Sequence, residues 1–467
     1  MTACINKGLN MDENFLLNTK LAQRLYHEHI CSLPVIDYHN HLPVKDIAKN
    51  RNFGDLTELW IAADPYKHRA MRICGIDEAF ITGKASGYDK FAAYSSVLPK
   101  LAGNPLYHWS NMELSQVFGI EEPLCADSGK RIWHTANRAL EDESYFAQGL
   151  LRRFHIEYAA PCCTILEDLG PFGEIDSLYP SLRGDGILPL TTEFVSQLGQ
   201  NRGGPIRNWE DLKAAFSSRL DEFHQEGCRF ADHALDHGFH YIPDDGHNER
   251  RFQQLMSREP LNLQDSMALS CEVLRMLGSE YAARGWTMQL HAGAMRYTSS
   301  RLRSMTGPAG GYAGIGNCAA DDLSGLLNDL EQKGSLPKTI LFTLNPSCNE
   351  ALSVLSGSFV EQGMPGKVQQ GCAWWWCDHI KGIRDVLETF SAYSVLSVFY
   401  GMTTDSRSLL SFTRHDYFRR ILCGWLGEKS ERMEMPRDYE LLRDIAEDIC
   451  YRNAKRLLGT ALEKGKT

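Results

Sequence analysis

The spacing of apolar positions changes along the chain. Near the N-terminus Leu17, Leu21 and Leu25 recur every fourth residue, which predicts a helix that ends before Pro34. Beyond it the apolar residues condense into short strand-like runs, each closing on polar residues. Eight such runs stand out, at 35–42, 155–163, 186–193, 228–235, 287–294, 339–345, 368–376 and 396–406. From the second run onward, stretches of helical spacing lie between them, 208–225 and 261–285 among them. Strands alternating with helices in this number predict an α/β fold, a (β/α)8 TIM barrel. One interval is out of scale. Residues 42–154 separate the first two runs and are rich in helix formers and aromatics. That is far more chain than a βα loop holds, so it predicts a helical insertion over the barrel mouth. The expected organisation is an N-terminal helical segment at 1–34, the first strand at 35–41, the insertion at 42–154, and the remainder of the barrel at 155–467 with a terminal amphipathic helix over 439–459.

In a barrel of this kind the reactive side chains stand at the carboxyl ends of the strands. Those ends carry His39, Asn40 and His41 on the first strand, His233 on the fourth, His291 on the fifth, Asn345 on the sixth and Asp405 on the eighth. Imidazoles with a carboxylate suit one hard-to-borderline divalent metal ion. With 16 histidines in the chain, a His-x-His pair alone says little. His27 and His29 have the same spacing, but they fall on the N-terminal helix, where residues two apart point away from each other. His39 and His41 follow a strand start, where such residues share a face, so both rings can reach one ion. Asp405 reads as a ligand, a proton carrier or both, against the alternative of capping the next helix. Arg407 offers a fork to an acidic substrate group. His233, beside Asp232, reads equally as a ligand with an orienting partner and as a satisfied core histidine. The triplet Trp374, Trp375 and Trp376 reads equally as a stacking wall for a sugar and as core packing. The Gly-rich stretch 307–316 has neither GK[ST] nor GxGxxG spacing and reads as a loop after the fifth strand.

Composition narrows the classes further. Hydrophobic residues are 43% and charged residues 23% of the 467, a globular composition. The net charge of −10 excludes a broad nucleic-acid or anionic-membrane face but leaves room for a local basic pocket. No apolar run reaches the ~18 residues of a membrane span, and the first twenty residues lack an apolar signal core. The 14 cysteines include no CxxC, and Cys162, Cys163, Cys372 and Cys377 are expected as reduced thiols. A cytoplasmic protein is expected, with a homo-oligomer left open.

Several motifs then occur in one order. They are Asp37-Tyr38-His39-Asn40-His41-Leu42, the stretch from Asp64-Pro65-Tyr66 to Arg72, Met288-Gln289-Leu290-His291-Ala292-Gly293-Ala294-Met295-Arg296, Leu344-Asn345-Pro346, the Trp triplet, and Gly401-Met402-Thr403-Thr404-Asp405-Ser406-Arg407-Ser408. On these the chain, from about residue 15 to 459, resembles the uronate (glucuronate) isomerases of the amidohydrolase superfamily. The resemblance implies a barrel of metal-dependent hydrolase type. It implies interconversion of D-glucuronate with D-fructuronate and of D-galacturonate with D-tagaturonate, by proton transfer through an enediol. It implies one divalent ion, zinc first among candidates, on His39, His41 and Asp405. Asp405, Tyr66, Arg183 and His291 are then expected in catalysis, and Arg407, Arg296, His68 and Trp375 in substrate binding. Tyr66 and Arg183 are expected to act together, the guanidinium lowering the pKa of the phenol. The sequence departs from the family at Pro65, often His, at His68, usually Trp, and at Ser181-Leu182-Arg183-Gly184-Asp185, a loose match to Trp-Arg-Pro-Asp. Asn345 stands where many superfamily hydrolases place a second histidine, which weighs against a binuclear hydrolase. Two alternatives remain from the sequence: a metal-dependent hydrolase of the same fold, and a catalytically impaired sugar-acid binder.

Overall fold

Parallel strands run in chain order around one curled seven-stranded sheet. They are β1 (Val35–Asn40), β2 (Ile156–Thr164), β3 (Ser181–Arg183), β4 (Phe230–Leu235), β5 (Thr287–Ala292), β6 (Lys338–Thr343) and β7 (Val368–Gln370). The computed structural model describes residues 11–307 and 311–459. The start of the expected N-terminal segment, residues 308–310 of the Gly-rich stretch and the last residues of the expected barrel remainder lie outside the described residues. All six residues of β1 and of β5 are buried, as in parallel strands covered on both faces. Helices follow the strands on the outside, including Trp209–Gln225 before β4 and Leu263–Ala283 before β5. No helix among the described residues is long and apolar enough to cross a membrane.

Two expected strands take a different form. The run at 186–193 is not a strand: Pro189 brings no donor, and Thr191 already caps the helix Thr192–Asn201. The third strand forms earlier, at Ser181–Arg183, paired with Cys162–Thr164 on one side and with Ala231 and Asp232 on the other. The run at 396–406 is not a strand either. Leu396–Val398 is a 3-10 turn, and left-handed backbone at Gly401 (φ 73°) and Asp405 (φ 49°) prevents a regular ladder.

That last segment still fills the eighth position. The Tyr400 N–H donates to Gln369 Oε1 of β7 at 3.1 Å. The Asp405 N–H donates to the His39 carbonyl at 3.0 Å, and the His41 N–H to the Ser406 carbonyl at 2.8 Å. Side chains supply the rest of the seam. The buried Asp37 carboxylate of β1 accepts the Thr404 N–H at 3.0 Å and the Thr403 and Thr404 hydroxyls at 2.5 Å each. Burial pushes the Asp37 carboxyl up, but His415 and the two threonines outweigh it and hold it below its usual range.

Between β1 and β2 the chain is helical throughout, from Val44–Ala48 to Ala147–Arg153, with no strand. Its caps are legible in the sequence. Asp64 caps Pro65–Ile73 and Asn104 caps Pro105–Phe118, each followed by proline at the first helical position. Trp60, Phe91, Tyr94 and Trp109 form its core. The N-terminal helix begins later than the leucine spacing predicts: Thr19 caps Lys20–Leu25, and a π turn, Tyr26–Ile30, continues it.

Gly401 tests the closure. Its left-handed φ disfavours any side chain, and a Cβ there would lie 2.1 Å from the Ile449 carbonyl. Gly401→Ala is expected to destabilise the fold by about 1–3 kcal/mol, read as a lowered midpoint in urea denaturation. An unchanged midpoint would show that the closing segment is not tightly held.

Candidate functional site

A slip in register places the two histidines. Pairing of β1 with β2 is irregular between Asp37 and Asn40. Tyr38 and His39, though adjacent, therefore both reach groups on facing strands, as a bulge allows. The Tyr38 ring stacks 5.7 Å from Phe230 of β4, and the His39 ring meets that of His291, on β5, edge to face at 4.6 Å. His41 follows two residues later on the same side. The closing segment then brings in Asp405, whose Oδ1 lies 3.1 Å from His39 Nε2 and 3.0 Å from His41 Nε2. The left-handed backbone of Asp405 is a conformation that aspartate tolerates better than most residues.

The electrostatics follow from this contact. Burial pushes the Asp405 carboxyl up, but hydrogen bonds with His39 and His41 prevail and hold it well below its usual range. Burial drives His41 down to about 4, against the pull of Asp405. His291 is driven well below its ordinary value by burial first, then by the charges of His39 and Arg183. The neutral imidazoles that result are the form that ligates metals.

Asp232 and Cys162 complete the floor. Arg183 Nη1 donates to Asp232 Oδ2 at 2.7 Å, and the other Asp232 oxygen lies 3.3 Å from Cys162 Sγ. Asp232 stands 3.7 Å from His291 Nδ1, and Cys162 Sγ 3.5 Å from His39 Nδ1. His233 faces the other way, its Nε2 2.9 Å from the Tyr281 hydroxyl. Strand alternation explains the split: consecutive residues on β4 cannot both enter the barrel. Asp232 is therefore the site residue of the pair. Burial opposes the Arg183 cation, but Asp232 and Asp185 keep it firmly charged.

Above this floor lies a cavity of about 420 Å³. Of the expected residues, His41, Arg183, Arg296, Trp375 and Arg407 line it, joined by Cys162 and Asp185. Arg296 pairs through Nε with both Asp236 oxygens, at 3.0 and 2.8 Å. Arg407 is half-buried beside His41, and its guanidinium has no hydrogen-bond or ion-pair partner among the described residues.

Two expected residues stand elsewhere. His68 is buried within the insertion on the helix Pro65–Ile73, near Asp64, Arg72 and the Ile61 backbone, and does not line this cavity. Tyr66 lines an adjoining cavity of about 320 Å³ with Trp376, while their neighbours Pro65 and Trp375 line the first. The expected pairing of Tyr66 with Arg183 does not form. The Tyr66 hydroxyl donates to Asp378 Oδ1 at 3.0 Å, and the guanidinium over its ring is that of Arg414, 4.7 Å from the centroid. Its phenol is pushed well above the usual value, by burial first and then by Asp378. The reason is topological: Arg183 is held on β3 by two carboxylates of its own.

The donors fit a divalent ion. Among the described residues, His39, His41 and Cys162 bring one ligand atom each within 4.8 Å of one another, and so do His39, Asp232 and His291. Both nitrogens of the fully buried His291 lack a hydrogen-bond partner. Nitrogen, oxygen and sulfur donors converging on one histidine suit a borderline cation.

Known proteins similar to this chain point to one family. The family model for glucuronate isomerase matches residues 9–458. The uronate isomerase of Histophilus somni is 40% identical over 460 residues, 96% of this chain and 98% of that protein. The crystal structure of uronate isomerase from Thermotoga maritima superposes with a TM-score of 0.89 at 28% identity, covering 96% of this chain and 99% of that one. The glucuronate isomerase structure from Caulobacter crescentus shares the fold, with a TM-score of 0.87 at 22% identity over 96% of each chain. With nearly the whole chain matched, the chain belongs to the glucuronate isomerase family.

Proposed function

We propose that this protein is an aldose–ketose isomerase of uronic acids, interconverting D-glucuronate with D-fructuronate and D-galacturonate with D-tagaturonate. The observation that carries this reading is Arg407. A half-buried guanidinium with no counter-ion among the described residues, in a cavity whose other two arginines are paired, can receive one carboxylate through a bidentate fork. A uronate differs from a neutral hexose by that group.

The reaction moves a proton from C2 to C1 through an enediol, and the developing charge on the oxygens sets the barrier. A divalent ion held by His39, His41 and Asp405, zinc by the donor set, would supply positive charge to those oxygens when bound. Arg183, kept charged by Asp232 and Asp185, adds a fixed cation on the same side. His291 is neutral and buried, so it orients rather than carries charge. Trp375 offers an apolar face to the sugar, with Arg296 5.7 Å above its ring. Tyr66 stands in the adjoining cavity, so Asp405, 3.0 Å from the cavity-lining His41, is the proton carrier in this reading. No net redox change occurs, so no nicotinamide is needed. A hydrolase of the same fold is the second reading, but nothing in the cavity favours it over a uronate.

Product analysis with D-glucuronate is the direct test. A ketouronate of unchanged mass is expected, and unchanged sugar would remove the isomerase reading. For the metal, elemental analysis should show His39→Asn losing bound ion while His27→Asn keeps it. Equal metal in the two variants would displace the ligand assignment. For substrate charge, kcat/KM for D-glucuronate should exceed that for D-glucose at least about 10-fold, and Arg407→Lys should narrow the gap by slowing the uronate alone. Comparable values for both sugars in the unaltered protein would show that the carboxylate is not read.

A further inference from the structure

We propose that Asp378 and Arg414 are positioning residues for sugar binding: through the Tyr66 hydroxyl they hold the turn at 374–377 in a strained form that sets Trp375 against the substrate. This rests on the reading that Trp375 offers its face to the uronate. The strain is confined to one residue. The Cys377 N–H donates to the Trp374 carbonyl at 2.7 Å, which leaves Trp375 and Trp376 at the centre of a tight turn. Trp376, and not Trp375, has left-handed backbone, with φ 64°. That is the pattern of a type II turn, whose third residue is ordinarily glycine or asparagine. A bulky side chain there is an outlier. Strain of this kind persists only where the surroundings impose it.

The hold comes from the insertion and from the helix Thr413–Glu431. The Trp376 N–H donates to the Tyr66 oxygen at 3.2 Å, and the Tyr66 hydroxyl donates to Asp378 Oδ1 at 3.0 Å, which fixes how that oxygen is turned. Arg414 Nη1 lies 3.4 Å from Asp378 Oδ2 and 3.4 Å from the Thr404 carbonyl. Its guanidinium also lies over the Tyr66 and Trp109 rings, at 4.7 and 4.1 Å, so the tyrosine is gripped by ring and hydroxyl together. Asp378, Arg414 and Tyr66 are all buried, and water does not compete for these bonds. The Trp376 ring is packed in turn by the Tyr66 ring at 4.6 Å and by the Arg69 guanidinium at 4.9 Å, both from the helix Pro65–Ile73.

The turn decides which tryptophan meets the sugar. Trp375 lines the same cavity as Arg296 and Arg407, whereas Trp376 lines the adjoining one with Tyr66. The two rings stack at 4.9 Å, so a change of backbone at Trp376 re-aims both. Asp378, Arg414 and Tyr66 are not among the residues that line the sugar cavity. They act on substrate binding through the turn and leave the proton transfer to other groups.

The test is steady-state kinetics with D-glucuronate on Asp378→Asn, alone and combined with Trp376→Gly. Glycine adopts the left-handed turn without help, so it removes the need for the hold. Asp378→Asn should raise KM about 3- to 10-fold, the worth of a lost ring contact, with kcat kept within about twofold. In the Trp376→Gly background the same substitution should change KM less than about twofold. An unchanged KM, a larger fall in kcat, or an equal rise in KM in both backgrounds would overturn the proposal. Trp375→Ala separates it from the reading beneath it, and should raise KM at least as far as Asp378→Asn does. An unchanged KM in Trp375→Ala removes the sugar-facing role of Trp375 and the proposal with it. A raised KM there beside an unaffected Asp378→Asn overturns the proposal alone. Should the Asn variant not fold, Asp378→Glu moves the carboxylate by one methylene and is read by the same cycle. The same KM rise and the same dependence on Trp376 are expected, and a result without either overturns the proposal.

Discussion

The Asp37 carboxylate lies fully buried between β1 and the segment that carries Asp405; among the described residues the hydrogen bonds it accepts come across that seam, from Thr403 and Thr404, with His415 Nε2 of the helix behind it 3.8 Å away. A buried charge left unpaired costs several kcal/mol, so the segment has one good place to lie. That place closes the barrel without an eighth strand. It also sets Asp405 Oδ1 within 3.1 Å of His39 and 3.0 Å of His41. The candidate metal ligands thus depend on a polar seam, where a regular ladder would have fixed backbone but not these side chains.

Charge within the cavity is apportioned unevenly. The protein is acidic overall, at −10, so an anion can be drawn only by local fields. Arg183 and Arg296 spend their charge on Asp232, Asp185 and Asp236. Arg407 has no such partner among the described residues, so in the proposed reading it is the cation that would select for a charged substrate. The same economy of placement holds on the insertion side, where Arg414 serves Asp378 and two aromatic rings together.

The parts of this design that could be read from the sequence are those with a local signal. Strands β1, β2, β4, β5 and β6 announce themselves by apolar runs, and the two histidines by their spacing at a strand end. Asp64-Pro65 and Asn104-Pro105 mark helix starts in the insertion. The third strand was hidden because Pro189 sits in a longer and more apolar run than Ser181–Arg183 itself. The eighth looked like a strand because side-chain composition does not reveal the left-handed backbone at Gly401 and Asp405. Asp232 carried a usable signal, since alternation along β4 puts it opposite His233. Asp378, the acceptor of the Tyr66 hydroxyl, carried none: it is 312 residues away in the chain, and only the folded barrel joins them.

The seam between β1 and the closing segment also bears on how the chain is made. His39 and Asp405 are 366 residues apart. At a synthesis rate of about 5–20 residues per second, β1 leaves the ribosome roughly 20–70 s before its partner exists. Once β2 has followed, one edge of β1 can pair with it, while the other still has no native neighbour. An open strand edge of this kind invites wrong partners. The helical insertion, complete long before the barrel, is the first large native body available to shelter β1 while it waits.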